Sequence, residues 1–343
     1  MNILQKPTDF SYTLTKFLTH YLAGLCNFSD NTIRSYRDTF KLLLTFCNEE
    51  IGISAESLTF NDVTPELIEK FLNWLKTKRG SSISTCNQRL AAIHAFFRYA
   101  QYEHPELAVQ CQQVLFLKFA KVAQKEVRYL SIDGIKILLD SPDINTAKGR
   151  RELAILSLLY DSAARVQEIV DLKVGDVRLI SPATVRLTGK GKKSRTVPLL
   201  KGNVQILSAY MNDQQHYLTT KDSYLFFNHS HQKMTRAGVG YILKKNVDVA
   251  RQSHPDLIPK QVTPHCLRHS KAMHLLQGGV NLIYIRDFLG HVDVKTTQIY
   301  ARADVTLKRK AIEAANVVET PQPLRSWTDD DDLMRWLVNL GKF

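Results

Sequence analysis

Several short stretches of this sequence set residues that hold anions or carry protons at spacings that call for an explanation. In "TPHCLRHS" (263–270), Thr263 is suited to cap a helix and Pro264 to open it, where a missing N–H costs nothing. His265 and Arg268 then sit three residues apart at a helix start, beside backbone N–H groups that attract anions. Arg165 follows a helix break in "AARVQE", with Glu168 one turn on. Lys190 stands at the tip of "TGKGKK", His291 follows the helix-ending Gly290 in "LGH", and Tyr300 comes nine residues later. Each has an ordinary reading when taken alone. An Arg–Glu pair one turn apart is usually a surface ion pair worth a few tenths of a kcal/mol. A Gly-Lys-Gly tip is usually a turn, and a single tyrosine is usually core.

The elements that must position these residues follow from periodicity. Leu14, Phe17, Leu18, Tyr21 and Leu25 keep helical spacing, as do Ile33, Tyr36, Phe40, Leu43, Leu44 and Cys47 behind an Asn31 cap. Thr64–Pro65 opens a third helix, and "STCNQRLAAIHAFFRYA" forms a fourth. Residues 1–103 therefore read as a four-helix bundle. Residues 104–126 read as a basic linker carrying Lys118, Lys121 and Lys125. From 127 to 318 the pattern is mixed. "RRELAILSLLYDSAARVQEIVDL" is helical with a break near Asp161–Ala164. "TVRLT" and "SRTVPL" alternate like two strands flanking the "GKGKK" tip, and helices resume beyond residue 205. Residues 319–343 form a Pro-containing spacer and a helical tail with Leu333, Trp336, Leu337 and Leu340 on one face. The fold class is mainly α with a small β-sheet in the second domain.

Composition narrows the partner. The 343 residues carry 46 Lys+Arg against 33 Asp+Glu, a net charge of +13, which favours nucleic acid or an anionic membrane surface. No apolar run spans a bilayer and "MNILQKPTDFSY" does not read as a signal peptide, so nucleic acid and a cytoplasmic location are expected. Five scattered cysteines without a C-x-x-C pair point to reduced thiols, with neither disulfide nor zinc site.

Taken in order, "AARVQE", "TGKGKK", "HCLRH", "LGH" and the tyrosine closely resemble the tyrosine recombinase (phage integrase) family, of the Xer-like compact kind. The resemblance is strong over roughly 127–310 and weaker over the N-terminal bundle, which resembles that family's core-binding domain. It implies site-specific recombination of double-stranded DNA through a 3′-phosphotyrosyl intermediate and a Holliday junction, on a homotetramer. It further implies that Tyr300 is the nucleophile and that Arg165 and Arg268 clamp the phosphate. His265 would serve as hydrogen-bond donor or proton shuttle. Lys190 would be the general acid, His291 a phosphate-binding residue and Glu168 a support for Arg165. No cofactor and no metal are expected, since no nucleotide-binding loop or ligand cluster is found. An accessory bending factor or a partner recombinase is left open.

The family's helical tail suggests docking on a neighbouring protomer in trans, or back on its own chain. Two residues stand out from the pattern. Lys271 occupies a position where the family commonly has an apolar side chain, and His269 reads as a helix-packing histidine. Two alternatives share parts of the pattern: a type IB topoisomerase-like nicking-closing enzyme, and a non-catalytic architectural or excision factor.

Overall fold

The computed structural model describes residues 7–123, 127–189, 191, 193–291, 293–303 and 331–340. Lys190, the expected general acid, and the spacer up to residue 330 lie outside the described residues. The chain divides into two units, Met1–Lys125 and Glu126–Phe343.

In the first unit, Thr8 caps α1 (Asp9–Lys16), which runs on as a wider π-helical segment to Leu25. Helix α2 (Asp30–Phe46) starts behind Ser29, two residues before the expected cap. Thr64 caps α3 (Pro65–Thr77) and Ser82 caps α4 (Ile83–Glu103), each hydroxyl accepting a first-turn N–H. The apolar stripes meet in a core rich in aromatic rings. Phe96 takes Phe10 at 5.3 Å and Phe40 at 5.1 Å, both edge-on, the geometry that the ring quadrupoles prefer.

The linker expected from residue 104 does not begin there. Pro105–Leu107 form a 3₁₀ turn and α5 (Ala108–Leu115) buries Cys111 and Val114 in the first unit's core. Beyond it, the Asn87 side chain pairs with both backbone groups of Ala120. Its pattern escaped notice because α5 buries only two of eight residues. Of the basic residues on the bundle, Arg89 is structural: its guanidinium donates to the Ser35 carbonyl and the Thr39 hydroxyl.

The second unit is built around α7 (Ala147–Asp161), which buries every residue from Ala154 to Leu159, all apolar except Ser157, so that stretch is enclosed on every side. Packed with it are α6 (Ile132–Asp140), the short α8 (Val166–Val170) and, later in the chain, α9 (Lys201–Asp213) and α10 (Arg236–Ser253). Between α8 and α9 lies a three-stranded antiparallel sheet in the order β1 (Val177–Arg178), β2 (Thr184–Thr188), β3 (Ser194–Pro198). Val185 and Leu187 point into the core while Arg186 and Thr188 face out, as a period of two requires. The expected hairpin is thus present, closed by Gly189 N–H donating to the Lys193 carbonyl.

Helices α11 (Pro264–Gln277), α12 (Leu282–Leu289) and α13 (Gln298–Ala303) complete the unit around a second apolar cluster of Ala163, Ala272, Met273, Leu276, Ile285, Leu289 and Tyr300. The tail contains α14 (Asp331–Asn339), on which Trp336, Leu337 and Val338 are exposed to solvent, as is Leu340 just beyond its end. Among the described residues no helix is long and apolar enough to cross a membrane.

Candidate active site

Two turns, a hairpin and a helix end converge on an open cleft of about 850 Å³ whose wall includes Arg165, Glu168, Gly189, Arg195, Gly290 and His291. The first turn follows Asp161, where α7 stops. Ala163 then adopts φ +47°, a conformation that costs a residue bearing a Cβ about 1–2 kcal/mol. The strain is offset by Arg268, whose Nη1 donates to the Ala163 carbonyl at 2.6 Å. Two residues on, Arg165 caps α8, and the Glu168 carboxylate turns back to accept the Arg165 backbone N–H at 2.8 Å.

Glu168 is buried and receives three further donors. Arg165 Nη1 reaches Oε1 at 3.0 Å, and Arg195 approaches with both Nη atoms at 2.9 and 2.8 Å. Burial pushes this carboxyl up, but the paired hydrogen bonds and charge of Arg195, with those of Arg165, outweigh it and leave the pKa lowered. The group is a fixed anion that aligns two guanidiniums side by side, and neither arginine is left to swing freely.

Arg195 also donates from Nε to the Phe288 carbonyl at 2.9 Å, at the end of α12. A Cβ on Gly290 would lie 3.2 Å from the Arg195 Cδ, and Gly290 adopts φ +64°, so the turn has two independent reasons to be glycine. That turn delivers His291, whose Nδ1 pairs with the buried Thr297 hydroxyl at 3.0 Å. Burial, reinforced by Arg268, Arg165 and Arg195, pushes the His291 imidazole down to about 4.

Arg268 is the most buried cation among the described residues, 3% exposed. Its second Nη donates to the Leu289 carbonyl at 2.6 Å, so it ties α11 to both turns. Burial first, then repulsion from Arg165 and Arg195, lowers its pKa to about 10, still charged at neutral pH. His265, in the first turn of α11, is solvent-exposed, yet partial desolvation of its ring and then the charges of Arg268 and Arg165 push its pKa down.

Tyr300 on α13 is 1% exposed, and its hydroxyl pairs with His269 Nδ1 at 2.8 Å. Burial raises the phenol's pKa, and the opposing charges of Arg268 and Arg165 only partly offset it. Of the expected site residues, Arg165, Glu168 and His291 line the cleft, Arg268 ties the turns that carry them, and Tyr300 packs in the same cluster as Ala163 and Leu289, whose carbonyls Arg268 engages. For Lys190 only the base of its hairpin is described: a Cβ on Gly189 would meet Glu168 Oε1 at 3.0 Å and Arg165 Nη1 at 3.6 Å, so this backbone packs directly on the clamp.

Two participants escaped the sequence reading. Arg195 pairs in register with Leu187 and shares the inward face with Val197, so an arginine on the core side of a strand was the available signal. His269 was read as packing; its hydroxyl partner lies 31 residues downstream, and no local pattern encodes that contact. Lys271 has a definite role. Its Nζ pairs with Asp161 Oδ1 at 3.0 Å and lies over the Tyr160 ring, pinning α11 to the end of α7 just before the Ala163 turn.

A helical unit ahead of a mostly helical one with a small three-stranded antiparallel sheet is the fold of the tyrosine recombinases, a class of DNA strand transferases. The chain belongs to the phage integrase family: residues 128–306 match that family and residues 15–104 match its N-terminal SAM-like domain. It is accordingly a site-specific DNA recombinase. Among relatives, it is 35% identical over 339 residues to the putative integrase/recombinase y4rC of Sinorhizobium fredii (strain NBRC 101917 / NGR234), covering 98% of this chain and 100% of that protein. It is 31% identical over 285 residues to tyrosine recombinase XerD of Listeria innocua serovar 6a, covering 82% and 91%. In fold it is similar to the XerH site-specific recombinase bound to palindromic difH substrate (TM-score 0.66, 22% identity, 83% of this chain and 79% of that one). The Tn1549 transposon integrase in complex with transposon right end DNA gives a TM-score of 0.67 at 17% identity, covering 88% and 97%.

Proposed function

We propose that the cleft holds one DNA phosphodiester and that Tyr300 opens and reseals it. The phenol oxygen attacks phosphorus, a 3′-phosphotyrosyl ester forms, and the bond to the 5′-oxygen breaks. Lys190 gives that leaving oxygen its proton. The bond energy is kept in the new ester, so the reverse step, attack by a 5′-hydroxyl, reseals DNA without an external energy source. Arg165 and Arg268 bind the non-bridging oxygens, for which planar, permanently charged forks are suited. The observation that carries this reading is that Arg268 grips the carbonyls of Ala163 and Leu289, the two residues between which Tyr300 is buried in one cluster, two residues from the turn that aims Arg165.

The remaining residues follow from their environments. His291, held neutral by its surroundings, hydrogen-bonds the phosphate without adding another charge to the arginines. His265 sits among the backbone donors of the α11 N-terminus and supplies a further hydrogen bond. Glu168 is a positioning residue that acts through Arg165 and Arg195. The related XerH and Tn1549 proteins in complex with DNA, together with the +13 charge, support DNA recombination sites as the partner. The fold is also similar to that of lambda integrase, whose tetramer is bound to a Holliday junction (TM-score 0.62, 14% identity). Four protomers acting on two sites, with strand exchange in two rounds, is the assembly we favour. The exposed apolar face of α14 fits docking on a neighbouring protomer.

The general acid is tested by its leaving group. Lys190→Ala should bind a nicked duplex bearing the protein's footprinted site with unchanged affinity and cleave it about 10²–10⁴-fold more slowly. A bridging 5′-sulfur, which leaves without a proton, should restore the rate. Failure of the sulfur to restore it would remove Lys190 from this role. Relaxation of supercoiled plasmid lacking that site would favour nicking-closing over recombination.

A further inference from the structure

Transfer of the leaving-group proton accounts for one end of the reaction. The other end, loss of the Tyr300 proton, has no acceptor in the scheme above. Buried among Ala163, Ala272, Met273 and Leu289, the phenol holds its proton more firmly than in water. The group that touches it is His269, at 2.8 Å through Nδ1.

We propose that His269 is the general base of the reaction and accepts the Tyr300 proton through Nδ1 as the phenol oxygen attacks phosphorus. This rests on Tyr300 being the nucleophile. The step balances: the O–H pair of Tyr300 forms the new O–P bond, its proton moves to Nδ1, and the bond to the 5′-oxygen breaks with a proton from Lys190. In the reverse reaction imidazolium returns the proton to the departing phenol.

Geometry and environment agree on the direction of transfer. Burial, with His265 and Arg268 nearby, lowers the pKa of His269, so at neutral pH the ring is uncharged and one nitrogen offers a lone pair. The transfer uses the tautomer in which the proton sits on Nε2, so that the Nδ1 lone pair accepts the hydrogen bond from the phenol. The charged and titratable groups facing this ring are His265 and Arg268 on its own helix, Tyr300 on α13 and His291 on the turn behind α12. The His265 ring lies 6.3 Å away, centroid to centroid, and among the described residues makes no hydroxyl contact of this kind.

The ring's position within α11 adds a second argument. His269 directly follows Arg268, and α11 is held by Lys271–Asp161 and by the two carbonyls that Arg268 engages. Phosphate clamp and base are thus carried on one rigid helix. Binding of the phosphate sets the distance between the phenol oxygen and phosphorus without moving the base away.

The test uses the full-length protein and a nicked duplex bearing the footprinted site with a bridging 5′-sulfur, so that leaving-group protonation does not limit the rate. His269→Asn keeps a polar atom near the Nδ1 position but cannot accept a proton at neutral pH; His269→Ala opens a space for added imidazole. Both should bind DNA as the parent does and cleave at least about 10²-fold more slowly at pH 7.5. Imidazole should restore part of the His269→Ala rate. In the parent, activity should fall below a pKa lower than the ordinary 6.5 of histidine, where Nδ1 becomes protonated. In both variants that acid limb should vanish and the rate should climb with pH toward the raised pKa of the phenol. Cleavage by His269→Asn within a few-fold of the parent, or faster, would overturn the proposal and show that the contact only parks the hydroxyl. So would an unchanged acid limb. A covalent adduct on Tyr300 in these variants keeps the nucleophile assignment intact whichever result is found.

Discussion

Tyr300→Phe should bind its DNA site with unchanged affinity and form no covalent complex, a loss on the order of 10⁴-fold or more in strand cleavage. The substitution removes one oxygen and keeps the ring that fills the cluster of Ala163, Met273, Leu276 and Leu289. Packing is therefore preserved, and His269 Nδ1 loses its partner. An unpartnered buried nitrogen costs about 1–3 kcal/mol, too little to unfold a unit with a core of this extent. Gel-shift affinity and trapping on a nicked duplex, measured side by side, separate binding from chemistry.

The second large effect concerns Arg268. Removing an arginine that stabilises charge on a reacting phosphoryl group costs about 10³–10⁵ in rate in phosphoryl-transfer enzymes, and Arg268→Ala should fall in that range. Arg268→Lys should fare little better. One guanidinium holds both the Ala163 and Leu289 carbonyls at 2.6 Å, and a single ammonium on a shorter reach cannot reproduce that planar two-pronged grip. Release of the Ala163 carbonyl also loosens the strained turn that aims Arg165, so the two arginines should be non-additive. A double variant, Arg165→Ala with Arg268→Ala, should cleave barely more slowly than Arg268→Ala alone. Single-turnover rates that multiplied would mean that the arginines act independently.

How much of this was legible in the sequence depends on the range of the interaction. Caps and periodicity encode local structure, so Thr64–Pro65, Thr263–Pro264 and the alternation of "TVRLT" marked their elements correctly. The break at Asp161–Ala164 was visible as a lapse in helical pattern, although nothing local announced that Ala163 would turn left-handed to meet Arg268. Helix α5 was missed because only Cys111 and Val114 are buried, too few to make a stripe. The arginines, histidines and tyrosine were singled out by the order of their motifs. Their contacts were not, because Glu168–Arg195, Arg268–Leu289 and His269–Tyr300 join residues 27, 21 and 31 positions apart. Lys271 illustrates the limit well. Its departure from the family's apolar preference was plain, yet its ion pair with Asp161 spans 110 positions and needed the fold to appear.

The account depends above all on which atom becomes bonded to DNA. Trapping the parent protein on a nicked duplex, digesting both components and sequencing the adduct by mass spectrometry reads that bond directly. A single peptide carrying a 3′-phosphonucleotide on the Tyr300 oxygen is the predicted result. A stable adduct on any other side chain, or efficient trapping with Tyr300 unmodified, would contradict it.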